Sequence, residues 1–311
     1  MKYTGIIILQ YNNWKDTINC IKSIQQHNSA PIKLIIVDNA SPDKEAVTGL
    51  SDFLKKEYHE NLLLIDDNTA NSCPEILPSV TFYCSQVNDG YARGNNKGLR
   101  LALKDSEIHY TLILNNDTLF VEDILPRLIN DVDSIPDCAF ITPLLYKRDL
   151  VTLDRNCARH PIPFWNMLLY YLFVLRTFPF MNKQVYYNFK PMNGLKQVEL
   201  ISGSCMFSSK NLMKSIEGFD PNTFLYYEEN ILWEKVHKLV LKNYVDTNLS
   251  CIHLGGTTIK KSISVPVLKL MFKSHLYFVK YYMKHGLLKG YVLSSVQIWA
   301  LTLLRIRKIF K

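Results

Sequence analysis

The sequence predicts an α/β protein built on a mostly parallel central sheet flanked by helices. Its predicted strands are near-continuous apolar runs, the pattern of strands buried on both faces. Segments with apolar residues at helical spacing alternate with these runs, which is typical of parallel strands joined by crossover helices. Polar residues follow several of the strands directly and indicate a site along one edge of the sheet.

The elements can be assigned in order from the N-terminus. The strand GIIILQ is followed by a helix with Ile18 and Ile21 on one side, and the next strand, KLIIVDN, ends at the turn residues ASPD. The predicted strands are residues 5–10, 33–39, 61–66, 110–117, 139–145 and 198–209, and the predicted helices are residues 14–26, 44–58 and 90–104. An apolar insert at about residues 148–195 interrupts this pattern.

The composition excludes disordered and disulfide-scaffold proteins. The chain has 311 residues, of which 48% are hydrophobic and 21% charged, so it can form one large domain or two small ones. Its seven cysteines are widely spaced without a C-x-x-C pair. We therefore expect neither a zinc site nor disulfides. We expect the protein to reside in a reducing compartment. The N-terminus enters the first strand directly, and we expect no signal peptide.

The positive charge of the chain is concentrated at its C-terminal end. The net charge is +8, and eleven lysines and arginines but no acidic residue follow Asp246, so the body before that residue is net negative. Such a tail could bind nucleic acid or an anionic membrane. Because aromatic residues and leucines are interleaved with its lysines, we predict a basic amphipathic helical tail that binds an anionic membrane surface and no nucleic acid.

A second apolar segment, residues 164–180, lies inside the insert. Its uncharged part ends before Arg176, and a membrane-spanning helix needs about 20 apolar residues. Neither this segment nor residues 291–304 of the tail reaches that length comfortably, so we expect both to lie on a membrane or dip into it. The alternative for both is an ordinary helix of the protein core.

Polar residues close three of the predicted parallel strands. They are Tyr11 and Asn12, Asp38 and Asn39, and Asn115, Asn116 and Asp117. The carboxyl ends of parallel strands meet at one edge of a sheet, where open α/β proteins bind nucleotides. Each group could also be a turn, because Asn and Asp hydrogen-bond their own backbone and tolerate left-handed conformations.

Glycines occupy every fourth position at the start of the third predicted helix, at Gly90, Gly94 and Gly98. They form one stripe without side chains, which permits a close approach to the sheet or to a ligand, at a cost of about 1 kcal/mol for each glycine relative to alanine. Neither a G-x-G-x-x-G fingerprint nor a Walker lysine motif is present. Dinucleotide oxidoreductases and P-loop kinases are therefore disfavoured.

Five fragments, in this order, carry a resemblance to a known family: GIIILQYNNWKDTINCIKSI, LIIVDNAS, NDGYARGNNKGL, LILNNDT and GFDPNTFLYYEE. They resemble family 2 glycosyltransferases of the GT-A fold, and among these the rhamnosyltransferase-like bacterial members that build surface polysaccharides. The resemblance covers residues 4–257 apart from the insert. It implies a Rossmann-like GT-A domain that moves a sugar from a nucleotide-diphosphate sugar donor to an acceptor, with inversion at the anomeric carbon and with Mg²⁺ or Mn²⁺ as cofactor.

By this resemblance, Asn115-Asn116-Asp117 stands in the place of the family's D-x-D metal motif. Asp117 supplies its only carboxylate and would be the metal ligand, while Asn115 and Asn116 would contact the donor. A divalent cation there would neutralise charge on the departing diphosphate, and Mg²⁺ is usually held by one or two carboxylates plus phosphates and water. His253 would be a second metal ligand, although a lone histidine can also be purely structural.

The resemblance also assigns the other site residues. Those implied to bind the nucleotide or the donor are Tyr11, Asn12, Asp38, Asn39, Gly90, Arg93 and Asn95, and those implied to leave room for the acceptor sugar are Gly203 and Ser204. Inversion requires a base that deprotonates the acceptor alcohol. The stretch FLYYEEN offers Glu229 or Glu228, of which Glu229 aligns with the family's base position. Two acids at a helix N-terminus can instead simply complement the helix dipole.

The expected organisation is a GT-A catalytic domain at residues 1–258, including the insert, and the basic tail at residues 259–311. The acceptor would be a lipid-linked saccharide, and the protein would be peripheral at the cytoplasmic face of the bacterial inner membrane. Two other functions stay open, a catalytically inactive sugar-binding or scaffold relative and a nucleotidyltransferase. The second is disfavoured because LQYNNWKD, at the end of the first strand, contains no glycine-rich phosphate loop.

Overall fold

The computed structural model describes residues 2–171, 185–255, 265–284 and 286–309. Within these ranges the strands form a ten-stranded mixed sheet and a separate two-stranded sheet. The architecture is α/β, with a mostly parallel central sheet flanked by helices, as the sequence predicts.

The N-terminal half alternates strands and helices. Its elements are β1 (Tyr3–Gln10), α1 (Trp14–His27), β2 (Ile32–Asp38), α2 (Lys44–Tyr58), β3 (Leu62–Asp66), β4 (Val80–Cys84), α3 (Gly90–Lys104) and β5 (Ile108–Asn115), with short 3-10 turns at His59–Asn61 and Ala70–Ser72. Helices α2 and α3 have the predicted bounds. The start of α2 is marked by Asp43, whose side chain caps the helix by accepting a hydrogen bond from the backbone N–H of Glu45.

The first five strands form a parallel block in the order β3-β4-β2-β1-β5. Its centre is apolar on both faces, because consecutive isoleucines of β1 and β2, such as Ile6, Ile7 and Ile35, are fully buried. The sequence-based assignment missed β4, whose short run VTFYC is interrupted by a threonine. This parallel block is the framework that carries the site.

The strand ends meet as predicted. Gln10 at the end of β1 pairs with Asp38 at the end of β2, and Leu9 pairs with Asn115 at the end of β5. Because the three strands are parallel neighbours, the polar residues that close them share one edge of the sheet.

The C-terminal half extends this block with antiparallel and parallel strands. Its elements are β6 (Thr118–Phe120), α4 (Leu125–Ser134), β7 (Cys138–Tyr146), β8 (Ala158–Arg159), α5 (Phe164–Tyr171), β9 (Leu195–Val198), β10 (Leu200–Ile201), β11 (Cys205–Ser209), α6 (Lys210–Ser215), α7 (Glu228–Lys238), β12 (Lys242–His253), α8 (Val265–Tyr282) and α9 (Gly286–Ile309). The sheet continues from β5 in the order β11-β7-β12-β6, with β9 beside β12, while β8 pairs with β10.

The prediction of a single strand at residues 198–209 is wrong. The chain breaks between β10 and β11, because the backbone of Gly203 is engaged by side chains instead of a neighbouring strand. Its N–H donates to Glu229 at 2.9 Å, and its carbonyl accepts from the Tyr91 hydroxyl at 2.7 Å. The break therefore lies inside the candidate site.

The glycine stripe of α3 serves packing. A Cβ atom at Gly94 would lie 2.7 Å from Leu9, and one at Gly98 would lie 2.8 Å from Ile7, so both glycines let α3 approach β1 closely. Gly90 has a φ of +76°, and a Cβ atom there would overlap the carbonyl of Phe224. Of the two uses predicted for the stripe, close contact with the sheet is observed at Gly94 and Gly98. Gly90 instead lies against a loop, and its donor role stays a prediction.

A second hydrophobic cluster joins the insert to the tail. Its buried members, which come from α5, α7, α8 and α9, are Phe164, Met167, Leu168, Ile231, Phe272, Phe278, Val279, Leu293 and Ala300. The described parts of both predicted membrane segments, residues 164–169 and 291–302, therefore bury one face in ordinary core, the alternative raised from the sequence. Among the described helices, none combines the length and the apolar character needed to cross a bilayer. Residues 172–184 of the insert and the predicted boundary at 258–259 lie outside the described residues.

Candidate active site

The edge of the sheet where β1, β2 and β5 end carries the predicted metal residues. Asp117 lies in the β5–β6 connection, and His253 ends β12, which pairs antiparallel with β6. Asp117 Oδ1 lies 3.5 Å from His253 Nε2, and the Asp117 carbonyl accepts a hydrogen bond from the N–H of Leu254 at 2.9 Å. The fold thus brings together two residues that are distant in sequence.

His253 is held by two further side chains. Its Nδ1 lies 2.7 Å from Asp154 Oδ2, and its Nε2 lies 3.2 Å from Ser204 Oγ. Burial alone would lower the pKa of His253, but the hydrogen bonds and charges of Asp117 and Asp154 outweigh burial and raise the pKa to about 9. Asp154 was not predicted, because it lies in the segment that the sequence marks only as an apolar insert.

Asp117 and His253 fit as two ligands of one divalent cation. Within the ranges that the structure describes, no group of three or more His, Cys, Asp or Glu residues could hold a metal ion. The remaining ligands would therefore be substrate phosphates and water, as is usual for Mg²⁺. Cation binding also requires His253 to lose its Nε2 proton, so a metal ion and a proton compete for this atom.

Glu229 lies in the first turn of α7 and is held by two donors. The Arg159 guanidinium donates from Nη2 to Glu229 Oε2 at 2.6 Å, and the N–H of Gly203 donates to Oε1 at 2.9 Å. The Glu229 side chain keeps 24% of its surface exposed. It is therefore oriented yet accessible. Arg159, from β8 of the insert, is a second site residue that sequence reasoning missed.

Glu228 has the opposite environment. It is buried, and burial, followed by the charge of Glu229, raises its pKa to about 8. A carboxyl group that is protonated at neutral pH and shielded from solvent is poorly suited to deprotonate an acceptor. The environments of the two acids therefore favour Glu229 as the base.

Tyr91 packs against the break between β10 and β11, beside Gly203. Its hydroxyl donates to the carbonyl of Gly203 at 2.7 Å. Burial raises the pKa of Tyr91 well above its usual value, and the negative charges of Glu229, Glu228 and Asp117 raise it further. Tyr91 was not predicted, because a tyrosine in the first turn of a helix has no distinctive local signal.

Three predicted donor-binding residues are buried parts of the framework. Asp38 accepts hydrogen bonds from Gln10 and Ser41, Asn39 bonds the carbonyl of Gly90 at 3.0 Å, and Asn95 bonds the carbonyl of its own helix one turn earlier. Their exposed fractions are 1%, 3% and 1% in that order. The described hydrogen bonds of these three residues are all made within the protein, and their contact with a donor stays a prediction.

The other strand-end residues are partly exposed and also take part in turns. Asn12 has a φ of +64°, and its backbone N–H donates to Ser41 at 2.7 Å, while Tyr11 beside it is half-buried. Asn116 donates to the Asn13 carbonyl and the Thr17 hydroxyl of α1. The interpretation of these residues as turns is therefore confirmed, and their contact with a ligand stays a prediction.

Asn115, Arg93, Gly203 and Ser204 also have defined partners. The N–H of Asn115 donates to the carbonyl of Ser204 at 2.9 Å, and Arg93 donates to the carbonyl of Pro221 at 2.7 Å. A Cβ atom at Gly203 would lie 2.6 Å from the Tyr91 hydroxyl. Tyr91 therefore lies directly beside Gly203, Ser204 faces His253, and the acceptor role of Gly203 and Ser204 stays a prediction.

Comparison with known proteins finds that the chain is similar to glycosyltransferases. No family model matches the chain. The chain is 26% identical over 226 residues to the low-salt glycan biosynthesis hexosyltransferase Agl10 of Haloferax volcanii, a match that covers 72% of this chain and 58% of that protein.

Among solved structures, the chain is similar to GalNAc-T7, whose crystal structure contains UDP, GalNAc and Mn²⁺. The TM-score is 0.58 at 11% identity, over 93% of this chain and 53% of that chain. The fold is therefore the GT-A fold of glycosyltransferases, which confirms the predicted fold class. The chain spans little more than half the length of either relative.

Proposed function

We propose that the protein is an inverting glycosyltransferase that moves a sugar from a nucleotide-diphosphate sugar to a saccharide acceptor. The observation that carries this proposal is a continuous path of contacts from Asp117 through His253, Ser204 and Gly203 to Glu229. Inverting transfer requires a group that stabilises the leaving diphosphate on one side of the reacting carbon and a base on the other. The likeness to a hexosyltransferase supports the same class.

On the donor side, Asp117 and His253 would hold Mg²⁺ or Mn²⁺. The cation would neutralise the charge that develops on the leaving diphosphate. Asp154 orients the imidazole through its bond to Nδ1, as carboxylates commonly do for histidine ligands. The presence of Mn²⁺ with UDP in the GalNAc-T7 crystal structure supports a divalent cation in this fold.

On the acceptor side, Glu229 would remove the proton from the attacking hydroxyl. Arg159 and the N–H of Gly203 fix the two carboxylate oxygens, so the base needs little reorganisation when the acceptor arrives. The neighbouring Glu228 stays protonated and buried and leaves the proton transfer to Glu229.

The motifs of the sequence support a family 2 assignment and, within it, the rhamnosyltransferase-like branch. We further propose a division into a catalytic domain at residues 1–258 and a tail at residues 259–311. The contacts of α5 and α7 with the tail indicate that the two parts work as one unit.

We also propose that the acceptor is a lipid-linked saccharide and that the tail docks on an anionic membrane at the cytoplasmic face of the bacterial inner membrane. One side of α9 exposes apolar residues about one turn apart, namely Leu287, Leu288, Tyr291, Val292, Ile298 and Trp299. Lysines Lys269, Lys273 and Lys284 are exposed on or beside α8. An apolar stripe with nearby lysines suits the interface of an anionic bilayer.

The test of the enzymatic proposal is hydrolysis and transfer from a panel of UDP-, GDP- and dTDP-sugars, with and without Mn²⁺ or Mg²⁺. We expect metal-dependent turnover that falls at least about a hundredfold in Asp117→Ala and Glu229→Gln, since each removes a group that acts in the transition state. Glu57→Gln, the same change at an exposed residue of α2, is the matched control and should retain full activity.

Two outcomes would contradict the proposal in different ways. Turnover that survives Asp117→Ala would exclude the metal assignment. Binding of UDP with Mn²⁺, seen as a thermal shift, without turnover on any donor would instead favour a sugar-binding relative that has lost catalysis.

A further inference from the structure

The loop that leads to the proposed base has an unusual backbone. Residues 219–227, which we call the base loop, run directly into α7 and its first-turn residue Glu229. The last two residues of the base loop, Tyr226 and Tyr227, have φ values of +73° and +70°. Bulky side chains rarely adopt this left-handed region, and two in succession persist only where surrounding contacts hold them.

Helix α8 of the tail supplies such contacts at the end of the base loop. The Ser274 hydroxyl donates to the carbonyl of Leu225 at 2.9 Å. The His275 ring stacks on the Tyr227 ring with centroids 4.3 Å apart and an interplanar angle of 12°, and Phe278 stacks on the same ring at 5.6 Å. Burial lowers the pKa of His275 to about 3, so this ring is neutral in the folded protein.

The same helix also holds the start of the base loop. The hydroxyls of Tyr277 and Tyr282 donate to Asp220 Oδ2 at 3.0 and 2.5 Å, and Asn222 donates to the Tyr277 hydroxyl at 3.0 Å. Burial alone would raise the pKa of Asp220, but hydrogen bonds from Tyr282, from the backbone and side chain of Asn222, and from Tyr277 lower it. Asp220 is therefore an ionised anchor between the base loop and the tail.

The opposite side of the base loop is held by α3. The N–H of Tyr91 donates to the carbonyl of Phe224 at 2.7 Å, and Asn96 donates to the carbonyl of Phe219 at 2.8 Å. The base loop thus lies between a helix of the catalytic sheet and a helix of the tail. Loss of the α8 contacts would leave it supported from one side only.

We propose that α8 is a positioning element for catalysis, in which His275, Tyr277 and Tyr282 fix the base loop and thereby the direction of Glu229. The inference rests on the proposed role of Glu229 as the base. The three residues act through the loop and contact neither donor nor acceptor. The tail therefore has a catalytic role that is separate from its proposed contact with a membrane.

The test uses the full-length chain and the double variant Tyr277→Phe/Tyr282→Phe, which removes the two hydroxyls and keeps both rings. We expect kcat for sugar transfer to fall about tenfold or more, because small misplacements of a catalytic group have effects of this size or larger. The Kd of UDP with Mn²⁺ should be unchanged, because the donor side is untouched. Tyr281→Phe is the matched control, since Tyr281 lies on the same helix and is exposed.

A second variant addresses the stacked rings. His275→Ala should lower kcat, and His275→Phe should restore most of it, because phenylalanine can stack on Tyr227 in place of the neutral imidazole. A purely structural role would lower the unfolding temperature of His275→Ala without such a selective effect on kcat. Unchanged kcat in the folded double variant and in folded His275→Ala would overturn the proposal.

Hydrogen exchange of residues 219–231 separates this proposal from the proposed function. Faster exchange there in the variants, with wild-type exchange in Tyr281→Phe, would show that α8 orders the base loop even if no donor is turned over. If the wild-type chain is active and neither exchange nor kcat changes in the variants, the positioning role is wrong while the glycosyltransferase stands.

Discussion

At the scale of single residues, two adjacent glutamates differ because the fold gives them different surroundings. Glu229 is bound by Arg159 and partly exposed, whereas Glu228 points into the protein, where burial raises its pKa to about 8. The sequence offered both as the base. The environment of each side chain, rather than its identity, separates a reactive carboxylate from a buried acid.

The pKa of Glu228 predicts a pH-dependent cost to stability. Its folded pKa lies above the unfolded value of about 4.3, so its favourable contribution is fully present below that pH and is lost as pH rises towards 8. Glu228→Gln should therefore gain stability relative to wild type between those values, by at most about 1.4 kcal/mol per pH unit. Thermal unfolding across this range measures it, with Glu57→Gln as the control. If the stability difference between Glu228→Gln and the wild type did not change with pH, a buried, protonated Glu228 would be contradicted.

His253 supplies a second residue-scale prediction. Its Nδ1 partner Asp154 helps to raise the His253 pKa to about 9, so Asp154→Asn should lower that pKa towards the ordinary value of about 6.5. A pH titration of the histidine signals by NMR in metal-free protein measures the change. Asp149→Asn, an exposed neighbour in the same segment, should leave the titration unchanged.

The same substitution tests the metal site directly. Once the competition of the proton for Nε2 is subtracted from each apparent affinity, Asp154→Asn should weaken Mn²⁺ binding by about 10- to 100-fold, because the imidazole loses its orienting partner. Calorimetric titration with Mn²⁺ alone gives this value without any turnover. Equal affinity in both proteins would mean that His253 does not bind the cation through this arrangement.

At the scale of elements, the distance between α3 and the sheet depends on glycine. Gly98→Ala would bring a Cβ atom to 2.8 Å from Ile7 and 3.1 Å from Val37, so the helix must move outward. We expect a loss of about 1–3 kcal/mol in the free energy of unfolding, measured by urea denaturation. Gly290→Ala is the control, since the three atoms nearest its Cβ belong to the flexible side chain of Lys280 and alanine favours a helix. If Gly98→Ala were as stable as the wild type, tight packing of α3 against the sheet at this position would be excluded.

At the scale of the whole molecule, the tail presents one surface to the catalytic body and another to solvent. The exposed stripe of α9 predicts binding to vesicles of phosphatidylcholine with phosphatidylglycerol, and weaker binding to phosphatidylcholine alone or at high salt, because salt screens the lysines. Tyr291→Ser/Trp299→Ser should lose this binding in a flotation assay. Ile76→Ser, at an exposed isoleucine between β3 and β4, should float like wild type. Unchanged flotation of the double variant would contradict a membrane role for α9.

This arrangement changes how the tail should be studied. Truncating residues 263–311 would remove two features at once: the α8 contacts that hold the base loop, and the exposed stripe of α9. Loss of activity after truncation would therefore have two causes. Substitutions on the outer side of α9 and on the inner side of α8 separate the membrane contact from the positioning of Glu229.

Much of the fold and part of the site follow from local pattern. Continuous apolar runs identified β1, β2 and β5, and the polar residues after them share one edge of the sheet as predicted, since strand direction and burial leave a signal within a few consecutive residues. Asp117, His253 and Glu229 were named from short motifs, and the structure connects all three through contacts.

The partners of these residues left no local signal. Asp154 lies 99 positions from His253 and Arg159 lies 70 positions from Glu229, and both come from a segment whose apolar character hid them. The same holds for the burial of Asp38, Asn39 and Asn95, which the sequence predicts as donor-binding residues, and for the contact of α8 with the base loop. A side chain's partners and exposure depend on which distant segments pack beside it, so these features emerged only with the folded chain.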